Sequence, residues 1–415
     1  MPVALLFSPD FDGHRQIHAN VLTGALLKHG FRVVLAGPLR NTRTVSELPY
    51  LSEVLQDSKV TCYDTTDIVQ HGLAATIDDL TQIQDETKAD LTIIAYADHH
   101  LQMLNNQFGN RKKRLRGRTV GIFFGSISYP YLPISLRLRI RRWKNLSKDW
   151  KTDAKLFHSF LLPYGHLLDV ALTLDESFVS NHQRTHVWLP EIVWPSNFEN
   201  RTKEEEELRK WEPVIERFKE KNTGRFCFFY FGVEAERRGF ATLLRLAVDL
   251  DGSFVHCGRR AIDMVGNEEV AHYRKTLSSR DRYLETGEYI VSPACVKKFF
   301  QMTDRVILPY NSFFGSSGVM LQALGLGMPV LVPDQGLMAW RTKEYSLGIT
   351  FKPGSYDAVR SKTDEFVSMD CASFRNTIGQ YMKYQTEEQV EKAISLACLG
   401  EGTGAALPPR ERAQR

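Results

Sequence analysis

GSSGVMLQALGLGMPVLVPDQG, residues 315 to 336, holds five glycines, two adjacent serines and a proline-led apolar run within 22 positions. Gly315-Ser316-Ser317-Gly318 reads as a turn, Val319 to Leu326 as one helix rich in small residues, and Met328 to Val332 as a buried strand. A glycine-serine turn feeding a helix N-terminus suits an anion, because unpaired backbone N–H groups and the positive end of the helix dipole point at whatever sits there. The bland alternative is a plain N-cap with serine as the capping residue.

The same grammar extends in both directions. Short apolar runs alternate with helical stretches: VALLFSP, a helix from about 15 to 29, RVVLAGP, LTIIAYA, TVGIFFG and VALTLD, then RFCFFYFG, SFVHCG, YIVS, DRVILPY and MPVLVPD. Runs without polar alternation are strands buried on both faces, and their alternation with helices implies parallel βαβ units. Two doubly wound sheets are expected, and 415 residues suffice for two cores. The charged segment TKEEEELRKWEPVIERFKEKN (202–222) reads as a surface helix after a linker. The expected organisation is a first domain at 1–190, linker and charged helix at 191–222, a second domain at 223–370, terminal helices within 371–400 and a disordered tail at 401–415. One terminal helix is expected at 373–384 and another at 387–399, behind the capping box Thr386-x-x-Gln389.

With 43% hydrophobic and 25% charged residues, the composition is that of a globular protein. Six cysteines are scattered singly, with no CxxC pair and no His/Cys cluster at metal-ligand spacing, which points to a reduced, cytoplasmic chain without structural zinc. The start, MPVALLFSPD, lacks a basic region and its apolar run is broken by Pro9 and Asp10, so it reads as a strand rather than a signal peptide. No apolar stretch approaches the roughly 18 residues of a membrane span. The net charge of +4 conceals an asymmetry: between Arg111 and Lys151 stand 13 Lys or Arg against one acid, Asp149. A solvated face is the ordinary reading of such a run. Here Trp143 and Trp150 interleave with Arg137, Arg141 and Arg142, the pattern of a helix lying on an anionic membrane surface or gripping a polyanion.

In open parallel sheets, ligands bind at the carboxyl ends of the strands. Four turns stand at such ends: FSPDFDGHRQIH, AYADHH, YFGVEAERRG and the 315–318 turn. Arg238 and Arg259 end turns after buried strands, where a guanidinium neutralises a diphosphate or simply meets solvent. Glu234 and Glu236 share the first of these turns, and solvent is an open destination for either. His14 follows Gly13 at the tip of the first turn, and Asp98, His99 and His100 end LTIIAYA, where an Asp-His pair suits orientation of an acceptor hydroxyl. A polar strand-end loop is the alternative. His18 reads as a packing residue, and Asp98 with two histidines lacks a fourth ligand, so no metal is expected.

The ordered set resembles a known family. FFYFGVEAERRGFATLLRLA, SFVHCGRR, YIVSPACVKKFFQMTDRVILPY and GSSGVMLQALGLGMPVLVPD resemble the donor domain of retaining nucleotide-sugar glycosyltransferases of the GT-B fold, the large family 4 group. FDGHRQIHANVLTGALLKHGFRVVLAG and LLDVALTLDES are similar to its acceptor domain, and the likeness covers roughly residues 1 to 355. It implies two Rossmann-like domains facing each other across a cleft. The donor, a UDP- or GDP-linked sugar, would be held by Gly232, Arg238, Gly258, Arg259, Ser316, Ser317, Gly318 and Gln322. His14, Asp98 and His99 would be catalytic, and Gly13, Arg137, Arg141, Arg142 and Trp143 would contact acceptor or membrane. No cofactor and no nucleic-acid partner are implied. The implied role is metal-independent transfer of a hexose to a glycan or lipid-linked acceptor in polysaccharide synthesis, in the cytoplasm or at the inner membrane face. The family's two glutamates fall at Phe314 and Gln322, and its diphosphate arginine at Val233, while Arg238 beside Gly239 matches its lysine. A nucleotide-sugar epimerase on the same fold and a non-catalytic binding module remain the alternatives.

Overall fold

The computed structural model describes residues 1–9, 11, 14–38, 51, 54–69, 75–97, 115–124, 168–179, 186–192, 194, 201–261, 264, 266–311, 313–402 and 407–408. Gly13, Asp98, His99, Arg137, Arg141, Arg142 and Trp143 lie outside the described residues. The chain divides into two compact units, Met1–Asn197 with Tyr384–Pro408 as one and Phe198–Lys383 as the other.

The first unit is built from β1 (Val3–Phe7), α1 (His14–Lys28), β2 (Arg32–Gly37), β3 (Val60–Asp64), α2 (Ile77–Thr87), β4 (Leu91–Ile94), β5 (Arg118–Phe123), β6 (Val170–Thr173), the single turn α3 (Glu176–Val179) and β7 (His186–Trp188). Its seven strands form one sheet of order β3-β2-β1-β4-β5-β6-β7, parallel throughout. β1, β4 and β6 are buried at every position, as the unbroken apolar runs require. The strand order reverses between β1 and β4, the switch point at which such sheets open a crevice. Two edge strands escape a reading based on apolar runs: β3, VTCYD, is only half buried, and β7 has three residues. LTIIAYA stops being a strand at Ile94, and Tyr96 takes a φ of 64°, which turns the chain out of the sheet.

The second unit comprises α4 (Arg201–Lys221), β8 (Cys227–Phe231), α5 (Phe240–Asp249), β9 (Ser253–Cys257), α6 (Glu268–Ser278), β10 (Tyr283–Glu285), α7 (Pro293–Phe300), β11 (Val306–Ile307), α8 (Gly318–Gly325), β12 (Val330–Pro333), α9 (Gly336–Glu344), β13 (Gly348–Phe351), α10 (Tyr356–Ser368) and α11 (Ala372–Met382). Its parallel ladders are β10-β9-β8 and β11-β12-β13, and β11 lies beside β8. Both ladders feed one core, in which Phe228, Tyr230 and Phe254 pack with Ile307, Leu331 and Phe351. The charged helix α4 buries Trp211, Ile215 and Phe218, spaced to share one face, and Trp211 meets Phe299 of α7 edge-on at 5.7 Å. It is an integral part of this unit.

YIVS is not a strand. The third strand of its ladder is Tyr283–Glu285, paired with Phe254–His256. The backbone N–H groups of Val291 and Ser292 donate instead to the Glu207 carboxylate of α4, and Ser292 caps α7 ahead of Pro293. An apolar run read as a ladder strand is thus satisfied by a side chain from another helix.

After α11, α12 (Glu387–Ile394) returns to the first unit. Thr386 caps it by accepting from the Gln389 N–H, and Val390, Ala393 and Ile394 enter the same core as Leu22 and Leu26 of α1. Burying each of the larger side chains is worth about 1.5–3 kcal/mol. Lys28 pairs with Glu391 at 2.9 Å, and Arg118 of β5 donates to the Ala397 carbonyl at 2.5 Å. All six cysteines are free thiols, five of them buried. Among the described residues no helix is long and apolar enough to cross a membrane.

Candidate functional site

The carboxyl ends of β8, β9 and β10, with the loop after β11, gather the best-formed polar constellation among the described residues. β8 runs into Gly232, whose φ of +104° only glycine adopts readily. The Tyr230 hydroxyl closes the following turn, donating to the Val233 carbonyl at 2.9 Å and accepting from the Ala235 N–H at 3.1 Å. Burial pushes that phenol well up, so it stays a neutral donor. Arg238 folds back across the turn and its Nη1 donates to the Phe231 carbonyl at 3.4 Å. A Cβ on Gly232 would stand 2.7 Å from that nitrogen, so the glycine makes room for the guanidinium.

The end of β9 presses against the same turn. A Cβ on Gly258 would lie 2.0 Å from the Gly232 carbonyl oxygen. The Glu234 N–H donates to the Arg259 carbonyl at 3.2 Å, and the Gly258 N–H to the Thr286 hydroxyl at 2.9 Å. Arg238 is half-buried and Arg259 exposed. Tyr289, on the segment after β10, is 38% exposed, and burial raises its phenol against the pull of Arg259 and Arg238 nearby. One exposed aromatic face and two guanidiniums therefore share this edge.

The 315–318 loop joins it from the other side, tied by the Asn311 N–H donating to the Arg237 carbonyl at 2.8 Å. Its serines face inward. Ser317 is the N-cap of α8, accepting from the Met320 N–H at 3.3 Å and lying 3.4 Å from the Tyr310 hydroxyl. Ser316 accepts at 2.6 Å from Nη1 of Arg341, a residue of α9 only 1% exposed. The hydroxyls thus serve the fold, and the groups left for a ligand are backbone: the N–H groups of Gly318 and Val319 donate to no protein acceptor among the described residues. Gln322, one turn further on, is buried at 6% exposure. Phe314 is clamped through its backbone: the Leu337 N–H donates to its carbonyl at 3.0 Å, and Gly336 packs so closely that a Cβ would meet the Phe314 Cα at 2.5 Å.

Beneath these turns lies a buried ionic network. Glu234, for which the sequence left solvent open, is 2% exposed; it pairs with Arg274 of α6 and accepts from the Ala261 N–H at 3.4 Å. His256 of β9, fully buried, places Nε2 3.0 Å from the Gly232 carbonyl and Nδ1 3.4 Å from Glu234. Glu285 accepts from Arg260 and from the Tyr283 hydroxyl, and Tyr283 in turn accepts from Arg274. Burial depresses the His256 pKa to about 4, so the ring is neutral at physiological pH. Burial also raises Glu234, against the attraction of Arg274, whereas Glu285 is lowered on balance: burial opposes ionisation, and the hydrogen bonds from Arg260 and Tyr283 outweigh it. Glu234, His256 and Glu285 lie close enough together to suggest a metal centre. The carboxylates argue otherwise, because each already holds a guanidinium.

In the first unit, His14 opens α1, and His18 packs its ring edge-on against Phe124 at 4.7 Å, as a packing residue should. The sequence reading missed Arg341, His256 and the burial of Glu234. One signal was available for His256: a histidine inside SFVHC, an otherwise apolar buried strand, must have a partner.

Neither a protein-family model nor a curated protein sequence matches the chain. Solved structures do resemble it. Sucrose-phosphate synthase from Thermosynechococcus elongatus superposes with a TM-score of 0.58 at 11% identity, covering 94% of this chain and 96% of that one. Anabaena HepE, solved in complex with UDP, gives 0.58 at 11% identity over 95% and 98% of the two chains. A putative UDP-N-acetylglucosamine 2-epimerase from Listeria monocytogenes gives 0.57 at 10% identity over 99% of each. The fold is GT-B, with two Rossmann-like units.

Proposed function

We propose that the protein is a glycosyltransferase that takes a sugar from a nucleotide diphosphate donor bound by the second unit. The observation that carries this reading is the turn built on Gly232 and Gly258: a Cβ on Gly258 would strike the Gly232 backbone at 2.0 Å, Gly232 takes a φ of +104°, and Arg238 lies across it. A turn stripped of side chains and overlain by a guanidinium suits a phosphate chain. The N–H groups of Gly318 and Val319, at the positive end of α8, supply further donors, and Arg259 a second cation. Tyr289 offers the base a face. The complex of HepE with UDP supports the choice of ligand class.

In glycosyl transfer the bond from the anomeric carbon to the diphosphate breaks, and negative charge accumulates on the departing oxygens. Fixed N–H donors and Arg238 stabilise that charge without reorganising. The transfer is proposed to need no metal. The acceptor is assigned to the first unit, with His14, Asp98 and His99 acting on its hydroxyl, and the basic, tryptophan-bearing stretch 111–151 is assigned to an anionic carrier such as a lipid-linked pyrophosphate sugar at the cytoplasmic membrane face. Flotation on anionic against neutral vesicles checks that last assignment: equal binding, or none, removes it.

The decisive experiment is a thermal-shift panel of UDP, GDP, ADP and CMP, with magnesium and with EDTA, on wild type and Arg238→Ala. A ligand at about 100 times its Kd adds roughly 2.7 kcal/mol. Stabilisation by one diphosphate that Arg238→Ala abolishes is the expected result. A flat panel at millimolar nucleotide would sink the reading in favour of a binding module. The likeness to a 2-epimerase favours a second reading, in which the donor sugar alone is the substrate. Release of the epimeric sugar in the absence of any acceptor identifies that case.

A further inference from the structure

A trans peptide is planar, and its C=O and N–H point in opposite directions. The Gly232–Val233 peptide is trans, as are all described peptides. Its carbonyl points inward, 3.0 Å from His256 Nε2, so its other end, the Val233 N–H, is directed away from the buried network. Val233 is 48% exposed, and its N–H donates to no acceptor among the described residues. The next two N–H groups are engaged, Glu234 with the Arg259 carbonyl and Ala235 with the Tyr230 hydroxyl. Of the first three amides in the turn after Gly232, only that of Val233 is without an acceptor among the described residues.

The imidazole meets the inward end of this peptide. A carbonyl oxygen only accepts, so Nε2 must carry the proton. Glu234, Arg274, Glu285, Arg260 and Tyr230 are the titratable and charged groups around the ring, and Tyr283 joins Arg274 to Glu285 behind them. Gly232 is the residue best able to let the peptide turn over, because its φ of +104° carries no Cβ penalty in either arrangement. The opposite orientation would present a carbonyl oxygen, which repels an anion, where the N–H now stands.

We propose that His256 is a positioning residue: by holding the Gly232 carbonyl it fixes the Val233 N–H outward as a donor to the phosphate chain of the ligand. The inference rests on the nucleotide reading above and names the group in that site that the ligand engages first through backbone. It also explains why the position matching the family's diphosphate arginine tolerates valine: the main chain provides the donor there.

The test uses the full chain with valine 15N labelling, the Val233 amide signal being assigned by its loss in Val233→Leu. UDP and, separately, inorganic pyrophosphate are titrated into wild type, His256→Leu and His256→Gln. Glutamine keeps an N–H donor near the position of Nε2, so it is the conservative rescue. Expected are a marked shift of the Val233 amide on ligand addition to wild type, at least about tenfold weaker binding by His256→Leu, the loss of one hydrogen bond to a charged group, and binding by His256→Gln within about threefold of wild type. A merely structural role predicts that affinity follows melting temperature across both variants, whatever donor stands at 256. Binding of UDP that leaves the Val233 amide unmoved, or a His256→Gln as weak as His256→Leu, overturns the inference while the nucleotide reading survives. A Val233 shift with pyrophosphate and no binding of UDP at all sustains the inference and removes the nucleotide.

Discussion

Two glycine turns at one sheet edge both leave backbone N–H groups to a ligand, but different side chains fix them. In 315–318 the serine hydroxyls turn inward, one capping α8 and the other receiving Arg341. In 232–239 the holding groups come from the strands: His256 takes the Gly232 carbonyl and Tyr230 the Val233 carbonyl and the Ala235 N–H, which leaves the Val233 N–H without an acceptor among the described residues. A polar side chain in a turn is therefore a poor guide to what a ligand meets. What counts is whether the fold has already claimed it.

The comparison is broken most severely by crowding the first turn. Gly258→Ala puts a Cβ against the Gly232 carbonyl at 2.0 Å, and the backbone has no flexible side chain to move aside. A loss of about 3–5 kcal/mol is expected, seen as a lower urea midpoint, together with loss of nucleotide binding. A wild-type midpoint would show that the two strand ends are looser than their geometry implies.

Next in size is a pH effect. His256 is held at about 4, below its ordinary value of 6.5. Its contribution to stability is thus present above pH 6.5 and lost as pH falls toward 4, because the unfolded chain takes up the proton first. The pKa difference corresponds to about 3 kcal/mol at most. Urea unfolding between pH 7 and 4 should show this slope in wild type and a shallower one in His256→Gln; identical slopes would mean that the ring is not the group responsible.

Arg238→Ala should separate binding from stability. Nucleotide diphosphate affinity is expected to fall about 10- to 100-fold, the loss of a charge-assisted contact, with stability changed by under about 1 kcal/mol. Ser317→Ala sharpens the contrast from the other side. Loss of an N-cap costs about 1 kcal/mol of stability, while affinity stays within about twofold, because the N–H groups of α8 remain. Calorimetry and thermal unfolding of the two variants side by side decide whether the turns divide the work in this way.

Much of the architecture was legible from residue order. Unbroken apolar runs such as VALLF and CFFYF are strands wherever they stand, because no water-facing side is left for them. The edge strand VTCYD was not legible, since half its surface meets solvent, and YIVS was misread because a carboxylate from α4 replaced the ladder. Arg238 and the two glycines could be placed at strand ends from spacing alone. Arg341 could not, since it reaches Ser316 from 25 residues away on another helix.

By itself the sequence determined the parallel α/β class, the two units and the positions of the glycine turns, because these depend on local periodicity and on backbone freedom. Only the tertiary structure decided which polar groups those turns expose. That choice depends on partners distant in sequence, Glu207 for 291–292, Arg274 for Glu234 and His256 for Gly232, and a hydrogen bond already made inside the fold is not available to a ligand.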